Sequence, residues 1–227
     1  MVFKRVETTQ SEQAKFLITQ LPQSIIMRKK YQSPLTNEVR GVADILADIQ
    51  GKAKVSPVSV VAFLVLGSDG SSSLNGMSAG LSTPADRTYF LEARRKFNCI
   101  LIGGRTANSE SYARTPTPLV IVSRARPSLL DQNPRAHWWN CSPVDALKRA
   151  KEDFGLAIAI EGGINFLSTL LQSGVIDELR LSITPKSGGE NMMNPNDLIG
   201  KFQKVVKNKI DDTIFYVCSS PKIKSQK

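Results

Sequence analysis

The stretch LAIAIEGGINFLSTLLQSGVIDELRLSI, Leu156 to Ile183, decides how this chain is read. LAIAI is an unbroken apolar run, the mark of a strand buried on both faces. Ile164, Leu167, Leu170 and Leu171 then recur at helical spacing, and DELRLSI returns to a strand pattern. Between the first strand and the helix sit Gly162 and Gly163. A glycine pair costs backbone entropy on folding. Placed where a helix begins, it marks either a tight turn or bare backbone against which a negatively charged group lies.

The same alternation extends outward. VSVVAFLVL (58–66) is a second buried strand, followed by the irregular, glycine-rich GSDGSSSLNGMSAGLS. Ser82 or Thr83 caps a helix over 84–96 with Pro84 near its first turn. NCILIGG is a strand ending in Gly103 and Gly104, LVIVS (119–123) is another, and RAHWW is a weaker one. PVDALKRAKEDFG is a helix begun by Ser142 and stopped by Gly155, and DDTIFYVCSS is a last strand. Strands alternating with helices predict an α/β domain with a mainly parallel sheet flanked by helices, here over residues 56–227. Residues 1–55 read as a helical extension, with helices in TTQSEQAKFLITQL and TNEVRGVADILADI.

Composition narrows the function classes. Of 227 residues, 41% are hydrophobic and 22% charged, as in a soluble globular protein. No apolar stretch approaches the roughly 20 residues of a membrane span, and no cleaved secretory leader is expected. Three widely spaced cysteines (Cys99, Cys141, Cys218) and one histidine (His137) form neither a zinc pattern nor a disulfide framework. No metal is expected, and a reducing compartment is. The net charge of +10 suggests nucleic acid or a phosphorylated ligand. Seven lysines fall in residues 201–227, without the interleaved aromatics of a single-strand binder, so this charge reads mostly as a solvated face.

Chemistry gathers at three strand ends. Ligands of open α/β sheets collect at such carboxyl ends, and here they read LGSDGSSS, IGGRT and EGG. A helix starting near Gly163 offers free amides and a positive dipole end to a phosphate. Gly103, Gly104, Arg105 and Thr106 could supply a second anchor, and Ser123 with Arg124 a third. Asp69 is a turn residue or an acceptor for a polar heterocycle. Glu161, at the sheet's edge, would bind a ligand hydroxyl or a backbone amide. The Rossmann fingerprint and the G-x-S-x-G elbow are both absent. With no evident base, nucleophile or metal, no catalytic residue is assigned, and the pattern suits hydride transfer, in which a cofactor carries the chemistry.

The ordered set LGSDGSS, ILIGGRTANSE, LVIVSR, IAIEGGINFLSTLLQSGVIDELRLSITP and SGG resembles the reductase domain of bacterial riboflavin biosynthesis, the pyrimidine reductases. The resemblance implies a dihydrofolate reductase-like three-layer fold and an NADPH-dependent oxidoreductase. Its substrate would be 5-amino-6-(5-phosphoribosylamino)uracil, whose ribose is reduced to the ribitylamino form. It further implies that Gly103, Gly104, Arg105 and Thr106 lie along NADPH, with Gly162 and Gly163 under its pyrophosphate. Ser123 and Arg124 would reach the ribose 2′-phosphate. Ser68 and Asp69 would face the substrate, Ser82 and Thr83 would lie near the substrate or the nicotinamide, and Glu161 would border the substrate pocket. Arg87, Arg114 and Lys186 are candidates for its phosphate, and Gly162–Gly163 for a cis peptide. A homodimer in the cytoplasm is expected, or in an organellar lumen if the source bears plastids. The zinc signature of the family's fused deaminase half is absent. Two rival readings are a same-fold dihydrofolate or pterin reductase and a non-enzymatic nucleotide or nucleic-acid binder using its basic tail.

Overall fold

The computed structural model describes residues 59–222, so the two helices expected in the first 55 residues lie outside the described residues. Eight strands form one sheet: β1 (Ser59–Leu66), β2 (Cys99–Gly103), β3 (Leu119–Val122), β4 (Ala136–Trp139), β5 (Ala157–Glu161), β6 (Glu178–Ile183), β7 (Phe202–Ile210) and β8 (Thr213–Pro221). Their order across the sheet is β4-β3-β2-β5-β1-β6-β8-β7. The first six run parallel, β8 is antiparallel to β6, and β7 is antiparallel to β8.

The unbroken apolar runs are explained by what lies on each side. Along β1, Val60 and Ala62 face one core while Val61 and Phe63 face the other. Helices α3 (Pro143–Phe154) and α4 (Ile164–Gln172) cover the first face through Ala146, Leu147, Phe166, Leu167 and Leu170. Helices α1 (Pro84–Ala93) and α2 (Gly104–Ser109) cover the second through Ala93 and Ala107. Each fully buried aliphatic side chain contributes about 1.5–3 kcal/mol relative to exposure, which keeps β1, β2, β3 and β5 apolar, whereas β6 alternates Glu178, Arg180 and Ser182 with Leu179, Leu181 and Ile183. The result is the dihydrofolate reductase-like three-layer α/β fold.

Two boundaries differ from the sequence expectation. The helix of 84–96 is α-helical to Ala93 and tightens into a 3₁₀ turn over Arg94–Lys96. The lysine-rich segment after residue 201 is not a tail: it holds β7, preceded by the short helix α5 (Pro195–Ile199). In β7, Phe202 and Asn208 are buried while Lys204, Lys207 and Lys209 are exposed. The lysines mask the apolar pattern, and on an edge strand such charges oppose pairing with another chain.

Candidate active site

Strands β3, β2 and β5 are consecutive in the sheet, so their carboxyl ends emerge side by side. Gly103 begins α2 and Gly163 begins α4, and neither helix start receives a side-chain hydrogen bond. Helices α1, α3 and α5 are instead capped by Thr83, Ser142 and Asn194. The glycines are required by crowding. A Cβ on Gly104 would lie 2.5 Å from Ser123 Cβ, and one on Gly162 would lie 2.8 Å from Thr106 Cγ2. Gly162 and Gly163 also adopt φ of +77° and +73°, a left-handed conformation that side chains disfavour. Their peptide bond is trans, as are all others among the described residues. This corrects the cis expectation: two successive left-handed glycines make the turn without it.

The structure therefore brings Gly103, Gly104, Thr106, Ser123, Gly162 and Gly163 into one junction. Arg105 and Arg124 stand exposed beside it. The Ser123 hydroxyl donates to the Ala125 carbonyl at 2.6 Å.

A cleft of about 670 Å³, counted out to its open mouth, adjoins this junction at the ends of β1, β5 and β6. Phe63, Phe90 and Tyr89 give it apolar walls, and Ser82, Asp86, Arg87, Glu110, Arg180 and Gly162 line it as well. Asp86 is buried and accepts a short hydrogen bond from the Ser82 hydroxyl. Glu110, just past α2, accepts from the Ser78 amide and so ties the cleft's rim to the end of that helix.

Glu161 is not at an edge. It ends β5, between β2 and β1, and is 1% exposed. Nor does it hold a backbone amide. Arg94 Nε donates to Oε1 at 3.1 Å, Arg94 Nη2 lies 2.9 Å from Oε2, and the Tyr112 hydroxyl donates to Oε2 at 3.1 Å. The Arg94 guanidinium also sits over the Phe90 and Tyr112 rings, at 4.9 and 5.3 Å from their centroids. Burial pushes the Glu161 carboxyl up to about 7 against the pull of Arg94, and raises the Tyr112 phenol well above its usual range. Arg94 and Tyr112 escaped the sequence reading. EARRKF offers three successive cations, with nothing to show which one turns inward.

The remaining predicted residues differ in where they stand. Ser68 and Asp69 are not among the cleft's lining residues. Asp69 accepts from the Ser71 hydroxyl (2.7 Å), the Ser71 amide (3.0 Å) and the Gly188 amide (2.7 Å), which hold its carboxyl near 2. It joins the loop after β1 to the loop after β6. Thr83 caps α1 and meets Thr213 at 2.7 Å. Of the phosphate candidates Arg87 lines the cleft, whereas Arg114 does not and Lys186 Nζ donates to the Gly80 carbonyl. Cys99 and Cys218 are buried, with thiols pushed up to about 12 and about 11, too high for a thiolate nucleophile. His137 packs its ring 5.2 Å from Phe154. Among the described residues no cluster suits a metal ion and no helix is long and apolar enough to cross a membrane.

A mainly parallel sheet flanked by helices, with bare helix starts beside a charged, aromatic-walled cleft, places the domain in the dihydrofolate reductase-like fold class. The family model described as the RibD C-terminal domain matches residues 58–213, and the chain belongs to that family. Three solved structures illustrate the likeness. The first is the Thermotoga maritima diaminohydroxyphosphoribosylaminopyrimidine deaminase/5-amino-6-(5-phosphoribosylamino)uracil reductase (TM-score 0.54, 15% identity, covering 78% of this chain and 59% of that one). A pyrimidine reductase-like protein from Corynebacterium diphtheriae is similar at TM-score 0.54 and 17% identity, covering 78% of this chain and 95% of that one. RibD of Acinetobacter baumannii is similar at TM-score 0.55 and 16% identity, covering 80% and 63%. The chain thus spans less than two thirds of the Thermotoga and Acinetobacter proteins. No curated protein matches it in sequence.

Proposed function

We propose that this chain is an NADPH-dependent reductase of riboflavin biosynthesis, converting the ribose of 5-amino-6-(5-phosphoribosylamino)uracil to the ribitylamino form. One observation carries the reading: two helices without side-chain caps begin at adjacent strand ends, where Gly104 abuts Ser123 and Gly162–Gly163 abut Thr106. A Cβ at Gly104 or Gly162 would collide with Ser123 or Thr106, so both turns must remain bare backbone. A pyrophosphate is the kind of group that such bare amides and the positive end of α4 hold.

Gly103, Gly104, Arg105 and Thr106 would flank the cofactor, Gly162 and Gly163 would lie under its pyrophosphate, and Arg124 would pair with its 2′-phosphate. Ser123 would exchange its bond to Ala125 for a phosphate oxygen. NADPH, when bound, supplies the hydride. The chain supplies placement, desolvation and charge. On the substrate side, Phe63 and Phe90 offer apolar contact to a heterocycle, Ser82, Asp86 and Glu110 offer polar partners, and Arg87 offers a cation to the substrate's phosphate. Glu161 borders this space with its orientation fixed by Arg94 and Tyr112. Ser68 and Asp69 shape the neighbouring loop. A homodimer, a cytoplasmic location and the start of the reductase domain at residue 56 belong to the same reading.

The test follows the loss of reduced-nicotinamide absorbance with the phosphorylated ribosylaminopyrimidine and, in parallel, with dihydrofolate. Turnover of the pyrimidine is the expected result. Turnover of dihydrofolate alone would replace the substrate, and failure to bind NADPH at all would overturn the reading.

A further inference from the structure

At the strand ends, one large side chain has no part in the site so far. Trp138 on β4 is 36% exposed and is, among the described residues, the one aromatic among the exposed large apolar side chains. Its neighbour Trp139 is buried, stacks on Phe154 and carries the Arg149 guanidinium 4.3 Å above its ring. Trp138 is handled differently. It pairs in register with Ile121 of β3, and its Nε1–H donates to the Ser123 carbonyl at 3.0 Å. An indole that would otherwise sample several rotamers is thereby anchored at the tip of β3, with the exposed Arg124 next in the chain.

We propose that Trp138 is the platform on which the adenine of a 2′-phosphorylated adenosine nucleotide stacks. The inference rests on the cofactor reading above and extends it to a residue that reading leaves unused. A 2′-phosphate and its base hang from adjacent carbons of one ribose. A phosphate held by Ser123 and Arg124 therefore leaves the base within a side chain's reach of the Ser123 carbonyl, where the indole is fixed. Every base offers a π face, so an aromatic surface binds it without reading its edge. Because the indole is already anchored, ordering it on binding costs little conformational entropy. The hydrogen bond joins platform and phosphate site through a single residue, so they keep their spacing.

The experiment titrates the full chain with adenosine 2′,5′-bisphosphate, which carries the base and the 2′-phosphate but no nicotinamide, and follows calorimetry and tryptophan fluorescence. The chain has two tryptophans. Binding is expected to quench emission in the unaltered protein. In Trp138→Phe the quench should vanish while affinity stays within a few-fold, and Trp138→Ala should weaken binding about tenfold. Circular dichroism checks that each variant is folded; if Trp138→Ala is not, the loss of quench in Trp138→Phe decides. Unchanged affinity in folded Trp138→Ala, or binding without any Trp138-dependent quench, overturns the platform and leaves the cofactor reading standing. Failure of the unaltered protein to bind both the bisphosphate and NADPH overturns both.

Discussion

At the tips of β2 and β5 the molecule leaves helix starts without side-chain caps, whereas a short way along the same sheet edge it buries charge. The first region is shaped by the side chains it lacks: Gly104 and Gly162 lie against Ser123 and Thr106 with no room for a Cβ, and Gly163 holds a φ of +73° with Thr106 close by. The second is shaped by side chains drawn from three distant places, Arg94, Tyr112 and Glu161. Bare backbone is cheap to keep solvated and binds an anion by geometry alone. A buried ion pair must recover its desolvation through exact pairing, and removing one member strands the other. The two regions should therefore fail in different ways, the second by unfolding and the first by losing ligand.

The largest effect is expected at the ion pair. Above pH 7, where the carboxyl is ionised, Arg94→Ala leaves Glu161 buried without its cation, and denaturant unfolding should show a loss of about 3–5 kcal/mol. Replacing both by methionine should restore most of it, because apolar packing substitutes well for a buried pair but not for half of one. A small loss in the single variant would place Glu161 in contact with water. The pH dependence sharpens the same point. With its carboxyl pushed from 4.5 up to about 7, folded Glu161 keeps a proton that the unfolded chain releases. Its contribution is full below about pH 4.5 and is lost as pH rises through 7. Stability curves of the unaltered protein and Glu161→Gln should diverge across that window, the unaltered protein falling relative to the variant.

The glycine junction should respond next. Gly162→Val forces a β-branched residue to φ of +77° with its Cβ 2.8 Å from the Thr106 methyl, a strain of about 1–3 kcal/mol. NADPH affinity, measured by calorimetry, should drop more than tenfold, and Gly163→Val should act in the same direction. Gly174→Ala is the control, since Gly174 has φ of +69° with nothing within 4 Å of its absent Cβ. It should cost stability of the same kind and leave NADPH affinity unchanged. Equal losses of affinity in Gly162→Val and the control would mean that strain, not the cradle, is being measured.

The contrast also explains what could be read from the chain. A bare-backbone site is written locally, as EGG before a helical run and IGGRT after a strand. The buried runs of β1, β2, β3 and β5 are local too, which is why the layers and the order of elements were legible. The triad was not. Arg94 lies in a run of three cations, Tyr112 in an irregular loop, and only the sheet order brings them to Glu161. Asp69 shows the opposite case. It has the residue type of a heterocycle acceptor, yet Gly188, far along the chain, takes up its second oxygen. Strand β7 was hidden because its exposed positions carry lysine where a strand more often shows β-branched residues.

The smallest effect should fall on β7, far from both regions in the order of the sheet. Exchanging Lys204, Lys207 and Lys209 for glutamine touches exposed positions, of which Lys207 alone has a ring partner, lying 5.6 Å from the Tyr216 centroid. Unfolding free energy should shift by no more than about 0.5 kcal/mol per site, and NADPH affinity should not move. Self-association should rise with concentration in light scattering, because the unpaired edge has lost the charges that oppose strand addition. Salt-sensitive binding of nucleic acid that disappears in this triple variant, with Gly163→Val leaving it intact, would instead assign the lysines a docking role and favour the binder over the reductase.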